Sequence, residues 1–359
     1  MTILTGILSA IFVVLAIMIV SKSLSLTKAA PGTGEESEII GESTANKWNG
    51  YGMLAFLILG TIGGVWSFIH YAPFFIHEAA SDVGVRTDEL FWTVMIIITL
   101  SFYLTFVFLC YFAFKYRYKK GNKVEFYPVN HKLEFIWTLI PAVVMAVLVF
   151  GGYKEWKAIT YNPPVETDVV TIEVTGKQFN WIFRYTGVDN QKLGKFNYKL
   201  IDDNNQVGVD FRDENSFDDF TSSELHLPKG KKVLLKIRAR DVLHSVYLPQ
   251  MRVKMDAVPG MPTKFWFTPT KTTEEMRYIL KDPEFNYKLN CAEVCGGGHF
   301  SMAAPVIVQS EAEYKKWVAE QKPFLTTYPQ YLKAVPANLK AKAMKYMPAP
   351  DSTAVAMGN

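Results

Sequence analysis

Cysteine is scarce in this chain of 359 residues: there are three, and no C-x-x-C-H occurs. Three are too few for a disulfide framework, and the missing spacing leaves no sign of a covalently attached haem. Histidine is scarce too, at six. His70 and His77 lie at one predicted helix end and His131 in a loop, so no set of membrane histidines is present to hold haem. Charged residues make up 20%, the net charge is +4, and there is no long basic patch, so nothing points to nucleic acid. What the chain has in abundance is apolar: 49% hydrophobic residues, with 25 Phe, 18 Tyr and 8 Trp, concentrated in the first 153 positions.

Four apolar runs account for that concentration: about Ile3 to Val20, Tyr51 to Phe75, Leu90 to Phe114 and Phe135 to Tyr153. A helix needs roughly 20 mainly apolar residues to cross a bilayer, so four transmembrane helices are expected. Pro141 within the fourth is tolerable in a membrane. Between the third and fourth runs lie Lys115, Arg117, Lys119, Lys120, Lys123 and Lys132 against Glu125. Positive loops stay inside, so this one is cytoplasmic and everything after Tyr153 is outside. Lacking a basic start and a clean cleavage site, the first run reads as a retained helix rather than a signal peptide. Residues 21–50 read as a polar linker.

From about Asp168 the pattern changes to short strands. "DVVTIEVTG", "KKVLLKIRAR", "TKFWFTPT", "EMRYILK" and "APVIVQS" are β-like and separated by Pro- and Gly-containing turns. They predict an antiparallel sandwich or barrel. Residues 311–321 predict a short closing helix; the tail beyond has no assignment, and there is no internal repeat. Residues 187–224 are rich in Asp and Glu. They read either as a solvated insertion or as an acidic docking surface for a basic protein.

The chemistry concentrates in "NCAEVCGGGHFSMAAP". Cys291 and Cys295 are spaced C-x3-C, followed by His299 and Met302, with Gly296, Gly297 and Gly298 forcing a loop before the final strand. The cysteine pair alone fits a disulfide, and adding the imidazole fits zinc. The thioether of Met302 shifts the balance to copper, because soft sulfur suits copper better than zinc. A second imidazole is available from His244 at the end of an earlier β-like stretch. Two thiolates can each bridge two copper ions.

"DVLHS", "DAVPGMP" and "CAEVCGGGHFSM", joined to helices bearing "LEFIWTLIPA", resemble subunit II of the haem-copper cytochrome c oxidases over roughly Leu90 to Gln321. The resemblance implies a cupredoxin-like Greek-key barrel outside a bacterial inner membrane, on the periplasmic side, following a helical membrane region. It divides the chain into 1–50 (an extra helix and linker), 51–89 (a second extra helix and outer loop) and 90–155 (a helical hairpin). The copper domain is then 156–321, with insertion 187–224, and the tail is 322–359. It also implies a dicopper CuA centre, with Cys291 and Cys295 bridging both ions. His244 and Met302 would complete one copper, and His299 and the Glu293 carbonyl the other. The Glu293 side chain would help bind magnesium shared with subunit I. Glu134 would stand at the mouth of a proton path. Partners would be the haem-bearing subunit I, subunit III, membrane lipid and a cytochrome c, or a cytochrome domain held in a supercomplex. The family's two tryptophans for incoming electrons correspond here to Phe179 and Trp181, the first being a departure. Arg238 and Arg240 also stand where acidic residues are common. Two other functions compete. A quinol oxidase subunit would lack the two cysteines and the methionine. A free-standing membrane-anchored copper-binding or copper-delivery protein would need neither Glu134 nor Glu293.

Overall fold

The structure is a computed structural model, describing residues 13–21, 44–75, 77–119, 121–123, 125–161, 163–166, 169–189 and 192–348. Among the described residues, three helices rather than four are long and apolar enough to cross a membrane: α1 (Thr44–Phe75), α2 (Asp82–Lys115) and α3 (His131–Thr160). Their most apolar windows reach mean hydropathies of 1.9, 2.3 and 2.3. The expected first helix falls largely outside the described residues; residues 13–21 of it are helical. Most large apolar side chains of α1 to α3 are exposed, Ile69 at 70% and Phe150 at 72% among them. That distribution fits a lipid solvent, in which internally bonded helices are the stable spanning form.

Two boundaries differ from expectation. α1 begins at Thr44, inside the stretch read as linker, and α2 begins at Asp82, inside the stretch read as an outer loop. The second has a visible cause: Ser81 Oγ accepts from Gly84 N at 2.8 Å and Asp82 stands in the first turn, as helix starts favour. The same turn is tied to the β domain. Asp82 Oδ1 accepts from Thr268 N at 2.7 Å, and Arg252 donates to both Asp88 oxygens at 2.8 and 3.0 Å.

Among the described residues, ten strands form two five-stranded sheets. In chain order they are β1 (Val170–Lys177), β2 (Asn180–Tyr185), β3 (Phe220–Ser222), β4 (Leu225–Pro228), β5 (Val233–Ala239), β6 (His244–Leu248), β7 (Val253–Ala257), β8 (Thr263–Phe267), β9 (Tyr287–Cys291) and β10 (Ala303–Gln309). One sheet runs β3-β2-β1-β5-β8, the other β4-β10-β9-β6-β7. The expected antiparallel pairing holds for most neighbours but fails for β1–β5 and β10–β4, which are parallel. Non-sequential strands meet there, so no hairpin dictates direction. Ile172, Val174, Leu235, Ile237, Val246, Leu289 and Val306 fill the core between the sheets.

"EMRYILK" is a helix, not a strand: α4 (Thr273–Leu280). Thr272 Oγ1 accepts from Glu275 N while the Glu275 carboxylate accepts from Thr272 N, a reciprocal cap that outweighs the β-like composition. The closing helix is present as α5 (Glu311–Ala319).

The insertion is not merely solvated. Val207, Val209, Phe211 and Phe217 bury themselves against Phe324, Leu325, Val335 and Ala343 of the tail, making a second core. Short helices α6 (Phe324–Thr327) and α7 (Lys340–Ala343) carry the tail's half. Many carboxylates are used internally: Asp189 pairs with Lys345, Glu214 with Lys342, and Asp210 with Arg212. The insertion also covers the outer face of β1 and β2. There Arg184, 1% exposed, faces Glu173 at 3.2 Å and Asp219 at 3.5 Å. Burial pushes the Asp219 carboxyl up to about 8 even though Arg184 pulls it down.

Candidate metal centre

Backbone pairing brings the ligand residues together. His244 opens β6 and Cys291 closes β9, and these strands are paired with Val246 opposite Cys291. Cys291 N donates to Met302 O at 3.0 Å and Ala292 N to Ser245 O at 3.0 Å, so the loop's base is closed by main-chain bonds. Within the loop, Gly296 has φ +132°, a conformation that favours glycine. His299 to Ser301 form one 3-10 turn that returns the chain to Met302 and β10.

The two sulfurs lie 3.9 Å apart and both cysteines are free. A disulfide needs about 2.05 Å, which removes that alternative. His244 Nδ1 is 3.9 Å from Cys291 Sγ, and His299 Nδ1 is 3.8 Å from Cys295 Sγ. Met302 Sδ is 3.6 Å from Cys295 Sγ, and the Glu293 carbonyl oxygen is 3.2 Å from Cys291 Sγ. The ligand atoms of His244, Cys291 and Cys295 all lie within 4.8 Å of one another. His244 is fully buried and Met302 nearly so. Two thiols, two imidazoles, a thioether and a carbonyl converging in a partly buried pocket suit copper by donor softness. Burial and the neighbouring Cys291 sulfur push the Cys295 thiol up to about 11, so metal must displace its proton.

A second layer, missed from sequence, fixes the ligands. Asp241 Oδ1 lies 2.8 Å from His244 Nε2, which directs Nδ1 toward the sulfurs. The other Asp241 oxygen accepts from Gln178 N at 2.8 Å, and Gln178 Nε2 donates to the Cys295 carbonyl at 2.5 Å. Burial opposes the Asp241 charge, but hydrogen bonds from Gln178 N, His244 and Val242 N outweigh it and hold the carboxyl below its ordinary range. The sequence signal was present, since Asp241 opens "DVLHS" and Gln178 lies in "GKQFNW". Trp181, 2% exposed, sets its ring 5.9 Å from that of His244. Gly176 leaves both rings their space, because a Cβ there would meet His244 Cδ2 at 2.9 Å and Trp181 Cζ3 at 3.0 Å.

Of the residues expected from sequence, His244, Cys291, the Glu293 carbonyl, Cys295, His299 and Met302 therefore converge. Trp181 packs on the cluster, and Phe179, 40% exposed, covers the glycine loop. The Glu293 side chain is half-buried beside the loop. Glu134 lies elsewhere, in the first turn of α3.

Two family models match. Residues 170–311 match "Cytochrome C oxidase subunit II, periplasmic domain" and residues 70–154 match "Cytochrome C oxidase subunit II, transmembrane domain". The alternative cytochrome c oxidase subunit 2 of Bradyrhizobium diazoefficiens is 33% identical over 273 residues, covering 75% of this chain and 91% of that protein. Cytochrome c oxidase subunit 2 of Thermostichus vulcanus is 27% identical over 313 residues, covering 72% of this chain and 82% of that one. The solved periplasmic domain of the Bradyrhizobium japonicum oxidase subunit II is 26% identical with a TM-score of 0.29, covering 44% of this chain and 93% of that one. These relatives do not favour a free-standing copper carrier. With its membrane region and its β domain each matched in the same order, the chain belongs to the cytochrome c oxidase subunit II family and is the electron-transferring part of an oxidoreductase complex.

Proposed function

We propose that this subunit takes electrons from a cytochrome c, or a cytochrome domain, outside a bacterial inner membrane. It hands them to the haem of a partner subunit I, where oxygen is reduced to water as protons are pumped. The observation that supports the site most strongly is the pair of free sulfurs 3.9 Å apart, each with its own imidazole. Cys291 and Cys295, with His244, Met302, His299 and the Glu293 carbonyl around them, would hold a pair of copper ions. When bound, the copper pair supplies one-electron transfer with little rearrangement.

The chain's own residues do the rest. Asp241 keeps the His244 imidazole aimed at the sulfurs, and Gln178 holds the Cys295 carbonyl in place. Trp181 and the barrel core exclude water from the buried side. Phe179, 40% exposed over the glycine loop, is the aromatic through which electrons come in. The Glu293 side chain contributes to a magnesium site shared with subunit I. Glu134, at the cytoplasmic end of α3, receives protons for the path through subunit I. The complex also contains a subunit III.

Metal analysis with electron paramagnetic resonance on the purified chain tests the assignment. Two coppers per chain with one electron shared equally between them is expected. A single copper with a localised Cu(II) signal would sink the bridging assignment.

A further inference from the structure

The outer end of α2 is built into the β domain at its first turn. Ala80 and Val83 bury their side chains in the β-domain core. Ala80 N donates to Gln250 O at 2.7 Å, Thr270 N to Ala80 O at 2.9 Å, and Ser81 Oγ to Met251 O at 2.7 Å. Thr268 N donates to Asp82 Oδ1 at 2.7 Å. These bonds gather at one place and so make a pivot. They fix where the helix leaves the domain, but a single point sets direction weakly.

Arg252 supplies a second point. Its guanidinium donates to Asp88 Oδ1 at 2.8 Å and to Oδ2 at 3.0 Å, a two-pronged pair that fixes angle as well as distance. Asp88 lies beyond Asp82 by about 9 Å along the helix axis. The other guanidinium N–H groups donate to Pro249 O at 2.8 Å and His77 O at 2.6 Å. Both side chains of the pair are mostly buried, at 20% and 26% exposed. The Arg252 backbone has φ +54°, a left-handed conformation that glycine adopts more easily. An arginine held there points to a task for its side chain.

Arg252 joins the two strands of one hairpin, β6 and β7. Leu248 opposite Val253 forms the end beside Arg252, and His244 opposite Ala257 forms the other end, at the candidate metal cage. Five residues of strand span about 15 Å. Over such an arm, a tilt of about 5° at the Asp82 pivot moves the cage by about 1 Å.

We propose that Arg252 is a positioning residue for electron transfer. Paired with Asp88, it sets the tilt of the β domain on the outer turns of α2, and so the place of the copper pair relative to the haem of subunit I. The inference rests on the copper reading of the cage and adds a determinant of the onward step. Misplacing reacting groups by about 1 Å can cost about a hundredfold in rate, and electron transfer likewise falls steeply with distance.

The test uses the assembled oxidase and three variants: Arg252→Gln, Asp88→Asn and Arg252→Lys. Flash-triggered electron injection reads the copper-to-haem rate, electron paramagnetic resonance reads the copper pair, and oxygen consumption gives the KM for the donor. Arg252→Gln and Asp88→Asn should each slow the copper-to-haem step about tenfold, with the copper signal and the donor KM at wild-type values. Arg252→Lys keeps the charge but not the fork, so it should fall between. Asp88→Asn keeps the shape of its side chain and decides the matter if Arg252→Gln fails to assemble. A wild-type copper-to-haem rate in Asp88→Asn overturns the proposal. So does slowing that comes with loss of the copper signal, which would make the pair a prop for the fold alone. A wild-type oxidase without a shared-electron copper signal would instead sink the copper reading, and the proposal with it.

Discussion

Gly176→Ala is the sharpest probe of the ligand cage. The added methyl would stand 2.9 Å from His244 Cδ2, 3.1 Å from His244 Cγ and 3.0 Å from Trp181 Cζ3. Neither ring can swing away cheaply. His244 is fully buried and held by Asp241 at 2.8 Å, and Trp181 is 2% exposed. Overpacking of this kind costs about 1–3 kcal/mol. The least constrained response is displacement of His244 from the sulfurs, so the cost should fall mainly on metal affinity. One to three kcal/mol corresponds to roughly 5- to 150-fold weaker copper retention. Competition with a copper chelator, followed by the visible spectrum and electron paramagnetic resonance, reads both affinity and symmetry. A shared-electron signal that turns localised, with copper lost at lower chelator, is expected. Wild-type affinity and spectrum would refute the claim that Gly176 makes room for the ligand.

Phe324→Ala should destabilise the β domain by about 3–5 kcal/mol, because it empties the second core at a side chain that is 3% exposed; thermal unfolding measures it, and an unchanged Tm would mean the tail does not stay docked. The fold should lose stability as pH rises from about 4 to 8. Asp219 is raised to about 8 in the folded state against about 3.9 unfolded, so the native form holds the extra proton below pH 8 and must release it above. Asp219→Asn should flatten that dependence, and a flat wild-type curve would contradict a protonated Asp219. Glu134→Gln should slow oxygen consumption while stopped-flow reduction of the copper site stays fast, since α3 is a helix of 30 residues, about 45 Å long, with Glu134 in its first turn. Unchanged oxygen consumption would leave Glu134 a helix-end charge.

The fold was readable wherever a local pattern decides structure. Apolar length marked the three described spans, and strand alternation marked β1, β5, β8 and β10. It was unreadable where a partner distant in sequence decides. Phe211 and Phe217 sit among acids, and their contacts Phe324 and Tyr346 are over a hundred positions later, so no window contains both. "EMRYILK" failed for another reason: its composition is β-like, and the Thr272–Glu275 cap that makes it helical lies partly ahead of it. In β1, Thr171, Glu173 and Thr175 alternate as a solvent face would, yet all three are buried because the insertion covers them.

The candidate ligands were legible because Cys291, Cys295, His299 and Met302 share one loop, whereas their supports were not. Gln178 and Asp241 act through bonds that span 117 and 63 positions, to Cys295 O and Gln178 N respectively. Those bonds have a consequence for function. The β1–β2 turn that carries Phe179 also carries Gln178, and Gln178 is bonded both to the ligand loop and to the carboxylate orienting His244. The proposed electron-entry surface and the candidate metal cage are therefore one hydrogen-bonded unit, not two. A rigid cage favours electron transfer because few atoms must move, and here the rigidity extends outward to Phe179. Replacing Gln178 by Ala should accordingly disturb electron entry and copper retention together, read as oxygen consumption and as chelator competition on the same variant; a change in one without the other would refute the coupling.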